Sequence, residues 1–239
     1  MSLLKDLGDD DLLVEIDASQ DGAGVGRAIG AGERAGALLG KRILFLPFDA
    51  CGECDTCRRG GAPVCPTARR RVEPLPARIH VAARWAVALD DGLDLPTEVG
   101  AKIGPLVLAY TMYARSNLAP REPTIVVGDN DVARYLVQIL VAKGIEPVAI
   151  ATFEDVPEIA ASFEPRSIHA RPWRILATTP DAVTLAAQIA NPRAQLTSIV
   201  AELPANLAAH EVTIITVAGP HPDLVVEVAA MCLKGELTA

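Results

Sequence analysis

The sequence predicts an α/β protein in which a β-rich unit carrying a cysteine lobe is followed by a doubly wound parallel sheet. Three observations lead there. Up to about residue 88, short β-like runs alternate with Gly-rich and Pro-rich turns. Within that stretch, four cysteines crowd between residues 51 and 65. From residue 124 onward, strand and helix patterns alternate, which calls for parallel strands covered by helices.

Bulk composition bounds the class of protein. The chain has 239 residues, enough for one large domain or two modest ones with real cores. Half of them are hydrophobic, yet no apolar run reaches the roughly 18 to 20 residues of a membrane span. Residues 1–11 are acidic, unlike the basic start of an export signal, so a cytoplasmic protein without a membrane partner is expected. A formal charge of -8 argues against nucleic acid, whose phosphates demand a basic face, and points to a small-molecule ligand instead. Arg58, Arg59, Arg69, Arg70 and Arg71 are a local exception around the cysteines, read as a solvated lobe surface.

In chain order, strands are expected at 12–16, 42–46, 79–82 and 85–89, with the cysteines interrupting them as a loop. Gly24, Gly26 and Gly30 sit in strand-like sequence without a following helical pattern, so they do not form a nucleotide loop. Apolar spacing turns helical over 96–118, and the Pro-containing run 119–123 reads as a boundary, giving domains 1–118 and 119–239 with the lobe at about 49–70. Beyond it, strands are expected at 124–127, 147–151, 174–178, 198–202 and 212–217. Helices are expected at 131–143, ended by Gly144, and at 181–190 and 222–234.

Cys51, Cys54, Cys57 and Cys65 follow a C-x2-C-x2-C-x7-C spacing that lets four thiolates converge on one soft ion. Gly52, Gly60 and Gly61 permit the tight turns, and Pro47, Pro63 and Pro66 stiffen the loop. Disulfides are disfavoured in a chain that nothing exports, and an iron–sulfur cluster would call for an electron-transfer partner. Zinc fits best. With four protein ligands no coordination position is open, so the ion is structural. Cys232, far away in an apolar helical pattern, is expected to be a small buried hydrophobe.

These residues resemble the zinc-containing medium-chain dehydrogenases, the alcohol dehydrogenase superfamily. The resemblance is most specific at 40–43 and 51–60, and extends more weakly to 24–30 and 125–144. It implies a GroES-like barrel domain with a structural-zinc lobe, a Rossmann-like domain, NAD(P) as hydride carrier, and usually a dimer or tetramer. It also implies that residues 222–237 are the last long helix, after which the family's chain returns to the barrel. The family's catalytic zinc is normally held by a cysteine near the end of the first strand, a histidine in a G-H-E run, and a later cysteine or acid. Here the chain passes from Asp17-Ala18-Ser19 straight to Gln20-Asp21-Gly22, Gly22-Ala23 stands where G-H-E would be, and 103–113 holds no ligand residue. His80, His169, His210 and His221 are scattered and are read as surface or hydrogen-bonded residues.

The cofactor loop of the resemblance falls on Gly128-Asp129-Asn130-Asp131-Val132-Ala133, after a strand and opening a helix as G-x-G-x-x-G/A requires. Gly128, Asn130 and Ala133 are therefore the candidate cofactor contacts. The middle glycine is Asn130, with Asp129 and Asp131 adding negative charge, and Glu154 and Asp155 come late for a ribose-binding acid. Tyr110, Thr111, Tyr113 and Asn130 are polar candidates for a cleft, but no catalytic nucleophile, base and orienter can be assembled. Two functions are expected: a dehydrogenase relative with one structural zinc and a binding, scaffold or non-redox role, or a zinc-independent NAD(P)H-dependent reductase of a small carbonyl compound. A homodimer is expected through residues 212–217 as an edge strand.

Overall fold

A computed structural model describes residues 7–59, 61–89, 95–119, 122, 124–150, 174–189, 194–199 and 213–238. It divides into two compact units, residues 1–107 with 220–239 and residues 108–219. Among the described residues no helix is long and apolar enough to cross a membrane.

The first unit is built on a five-stranded antiparallel sheet. Its strands are β1 (Asp11–Gln20), β2 (Ala23–Ala31), β3 (Arg42–Phe45), β6 (Arg78–Ala82) and β7 (Ala86–Leu89), in the order β6-β1-β2-β3-β7. Alternation places Leu12 and Val14 of β1 against Ala28, Ile43, Phe45, Ile79 and Val81, which form the core of this unit. β1 and β2 run longer than the apolar pattern shows because their ladder continues through polar residues to the pair Gln20↔Ala23. Trp85 belongs to a 3-10 turn, Ala83–Trp85, and not to β7. A second 3-10 helix, Glu33–Leu38, follows β2, which sequence periodicity does not show because its glycine and alanines carry no stripe. α2 (Thr97–Ala101) lies on β2, where a Cβ on Gly100 would overlap Val25. β4 (Phe48–Asp49) and β5 (Arg69–Arg70) form a short antiparallel ribbon beside the sheet. α3 (Ile103–Ser116) follows α2 after a break at Lys102 and runs across the division between the units.

The second unit carries five parallel strands in the order β12-β11-β10-β8-β9: β8 (Thr124–Val127), β9 (Pro147–Ile150), β10 (Arg174–Ala177), β11 (Gln195–Ser198) and β12 (Thr213–Thr216). α4 (Asp131–Ala142) buries Val132, Leu136, Ile139 and Leu140 at helical spacing and ends at Gly144, whose φ of +73° favours glycine. α5 (Pro180–Ile189) packs Val183, Leu185 and Ala186 onto Ile125, Val127 and Ile175. β11 lies three residues earlier than its apolar run predicts. Its polar side chains are satisfied by the end of α3: the Ser116 hydroxyl donates to Thr197 Oγ1 at 2.9 Å, and Gln195 donates to the Ser116 carbonyl at 2.7 Å. α6 (Val225–Leu233) is shorter than expected, since Pro222–Leu224 is a 3-10 turn.

Candidate metal centre

The β4–β5 ribbon pins both ends of the cysteine loop, with Phe48 opposite Arg70 and Asp49 opposite Arg69. Cys51 follows β4 after one residue, Ala50, and Gly52 turns the chain at φ +76°. Cys54 caps the four-residue helix α1 (Asp55–Arg58), its sulfur accepting from the Cys57 N–H at 3.4 Å. A 3-10 turn, Ala62–Val64, then presents Cys65. The sequence therefore makes each short element a ligand-aiming device.

The four Sγ atoms lie within 4.8 Å of one another, and all four thiols are free. The separations are 3.6 Å for Cys65–Cys51, 3.9 Å for Cys51–Cys57 and 4.0 Å for Cys54–Cys65. A tetrahedron with zinc–sulfur bonds of about 2.3 Å has sulfurs about 3.8 Å apart. A disulfide needs about 2.0 Å. The donor set and its dimensions thus fit zinc. Backbone N–H groups of Cys54 and Cys51 also donate to the sulfurs of Cys51 and Cys65, at 3.4 and 3.5 Å, and the Thr67 hydroxyl sits 3.5 Å from Cys65 Sγ. The N–H groups of Glu53 and Cys54, chiefly, bring the Cys51 thiol down to about 6, and the Thr67 hydroxyl, first among its causes, lowers Cys65. Desolvation pushes Cys57 up to about 12.

Arginines and a tryptophan from outside the loop hold it to the sheet, and no spacing rule reveals them. Arg84 Nη1 donates to the Cys51 carbonyl at 2.6 Å, and Trp85 Nε1 donates to the Ala50 carbonyl at 2.6 Å. Arg71 departs from the expected solvated surface. Its side chain is 8% exposed and pairs at 2.5 Å with Asp49, which is 4% exposed. It also donates to the carbonyls of Leu46 and His80 and lies 5.6 Å from the Phe45 ring centroid. Arg70 donates to the Pro63 carbonyl at 2.7 Å, and Arg69 pairs with Asp11 at 3.1 Å. Arg58, Arg59, Arg69 and Arg70 are all exposed, as expected of a solvated lobe surface, and Arg71 alone of the five is not.

Elsewhere the named residues fall into separate places. Gly128, Asn130 and Ala133 stand together at the start of α4, where Asn130 Oδ1 accepts from the Ala133 N–H at 2.9 Å. Tyr110 and Tyr113 pack on each other with centroids 5.6 Å apart, and Lys143 Nζ lies over both rings at 5.3 and 5.9 Å. Thr111 is buried. His221 pairs with Asp223 at 3.5 Å, and His80 is a β6 residue. His169, His210, Gly60, Glu154 and Asp155 lie outside the described residues. Cys232 is half-buried and not fully buried as expected, and desolvation raises its thiol to about 11. Among the described residues, the four cysteines are the one group of His, Cys, Asp or Glu side chains that could hold a metal.

No family model matches the chain. It is 26% identical over 151 residues to a 2-dehydro-3-deoxy-L-galactonate 5-dehydrogenase of Pseudoalteromonas atlantica, covering 62% of this chain and 43% of that protein. The chain thus spans less than half the length of the curated relatives it matches. Galactitol-1-phosphate dehydrogenase from Escherichia coli superposes with a TM-score of 0.78 at 19% identity, covering 100% of this chain and 86% of that one. An alcohol dehydrogenase from E. coli CFT073, solved with NADH, gives 0.75 at 17% identity, covering 97% and 82%.

Proposed function

We propose that this chain, whose fold is the GroES-like and Rossmann-like pair of the medium-chain dehydrogenases, holds one structural zinc and serves a binding, scaffold or non-redox role. Cys51, Cys54, Cys57 and Cys65 would hold the ion. With every coordination position filled by sulfur, zinc there supplies rigidity and no Lewis acidity toward substrate.

The observation that carries this reading is the join between β1 and β2. Asp21 and Gly22 have φ of +55° and +80°, the mark of a two-residue type I′ hairpin, and Gln20 pairs directly with Ala23. The resemblance places a cysteine ligand and a histidine–glutamate pair around this join. In the structure the join is a closed turn. A Cβ on Gly22 would overlap the Arg71 carbonyl, and Ala23 is wholly buried against Gly104. Position 22 has no room for an imidazole.

The nucleotide loop does not fit NAD(P). A phosphate at a helix N-terminus needs free backbone N–H groups and an absence of negative charge. Asn130 already caps the Ala133 N–H, Asp129 is exposed beside it, and Asp131 opens the helix. A second reading, a zinc-independent NAD(P)H-dependent reductase acting on a small carbonyl compound, is favoured by the likeness in fold to the neighbour solved with NADH. Metal analysis together with calorimetric titration of NADH and NADPH separates them. One zinc per chain without cofactor binding supports the first reading, and micromolar cofactor binding supports the second.

A homodimer through β12 belongs to the same proposal. β12 ends the described sheet, and Ile214 on it is 37% exposed, an apolar edge that invites a second strand. Light scattering should give twice the chain mass, and Ile214→Lys should give monomers. A monomeric wild-type chain at high concentration would sink the idea.

A further inference from the structure

We infer that Asn130 and Thr178 form a latch that closes the switch point of the parallel sheet to a dinucleotide. This deepens the proposed reading and rests on it. Two side chains, and not the fold, would then decide that the cofactor is refused.

The sheet order β12-β11-β10-β8-β9 makes β8 and β10 neighbours from which the chain departs toward opposite edges. In open α/β sheets, the crevice at the carboxyl ends of such a pair is where ligands bind. Its frame is intact here. β8 is followed by Gly128 at φ +135°, a conformation that side chains rarely adopt, and then by the N-terminus of α4. What differs is the occupancy of the crevice. Asn130 Nδ2 donates across it to the Thr178 carbonyl at 3.2 Å while Asn130 Oδ1 keeps the Ala133 N–H. From the other side, the fully buried Thr178 donates its hydroxyl to the Val127 carbonyl at 3.2 Å and its N–H to the same oxygen at 3.0 Å. The space that the missing Cβ of Gly128 leaves open is filled by this hydroxyl, which such a Cβ would overlap. In a nucleotide site, that space lets the backbone approach a pyrophosphate. Thus a glycine whose value lies in close approach is approached here by the protein itself.

The latch is distinguishable from a simple charge barrier. If Asp129 and Asp131 alone repelled phosphates, removing the Asn130 amide would change nothing. The test uses the full chain as wild type, Asn130→Gly, Asn130→Ser, the double variant Asn130→Gly/Thr178→Ala, and Asp129→Asn. Glycine and serine are both good N-caps, so α4 should still start where it does. Zinc content and circular dichroism establish folding. NADH binding is then followed by fluorescence and calorimetry. The latch predicts that the double variant binds NADH at least about tenfold more tightly than wild type, with the single Asn130 variants between. If the double variant misfolds, the Asn130 variants alone decide the matter. Folded Asn130 variants that bind no better than wild type, or an Asp129→Asn variant that gains affinity while they do not, would overturn the latch and leave the proposed function standing. Micromolar binding by the wild type would overturn both.

Discussion

Replacing Arg71 by methionine probes the attachment of the metal lobe to the sheet. Methionine keeps an apolar stem against Phe45 but removes the charge that Asp49 faces at 2.5 Å and the donors to Leu46 and His80. Both members are almost wholly buried, and Asp49 Oδ1 already has no partner, so the orphaned carboxylate cannot turn to water. Breaking a buried pair from one side costs about 3 to 5 kcal/mol. Arg69, 3.6 Å from Asp49 and half-exposed, offsets part of this and places the loss near the lower end. With a urea slope of about 2 kcal/mol per molar, the midpoint of the first unit should fall by roughly 1.5 M. Trp85, bonded to Ala50, reports that unit by fluorescence. The double variant Asp49→Leu/Arg71→Met, which removes both charges, should recover most of the loss. If Arg71→Met unfolds within about 0.5 M of wild type, the pair is not what anchors the loop.

Gly52→Ala forces a side chain into φ +76° and toward Arg84 Nη1, and should destabilise the loop by about 1 to 2 kcal/mol. Transfer of zinc to a chromogenic chelator should be several-fold faster than in wild type, and equal rates would refute the close approach. Glu73 accepts from the N–H groups of Leu75 and Gly22, at 2.9 and 3.2 Å, and the Leu75 bond chiefly holds its carboxyl below the ordinary 4.5. A lowered carboxyl stabilises the fold above its unfolded-state value and loses that contribution as pH falls through the folded one. Glu73→Gln should therefore be less stable than wild type at pH 7, and the two should converge as pH falls through the lowered carboxyl value of the folded chain. A gap that persists in acid would show that the carboxylate charge is not the cause.

Sequence alone reveals most where one residue type has one use. The four cysteines announce their convergence because thiolates at that spacing have few other roles, and Gly144 marks the end of α4 because its φ of +73° favours glycine. β11 is misplaced by three residues because Gln195 and Thr197 look like loop residues until Ser116, far off in the chain, supplies their partners. Arg71 looks like one more surface arginine for the same reason: its buried partner, Asp49, is 22 residues away. The sequence shows that Asn130 replaces a glycine. Only the three-dimensional neighbourhood shows what it binds, since Thr178 lies 48 residues further on.

Metal stoichiometry of the purified full chain tests the central claim most directly, measured by mass spectrometry of the native protein before and after denaturation. The structure leads to one zinc per chain, lost in the Cys51→Ser/Cys65→Ser variant together with the fold of the lobe. Two zinc ions per chain, or one that survives loss of those cysteines, would contradict it.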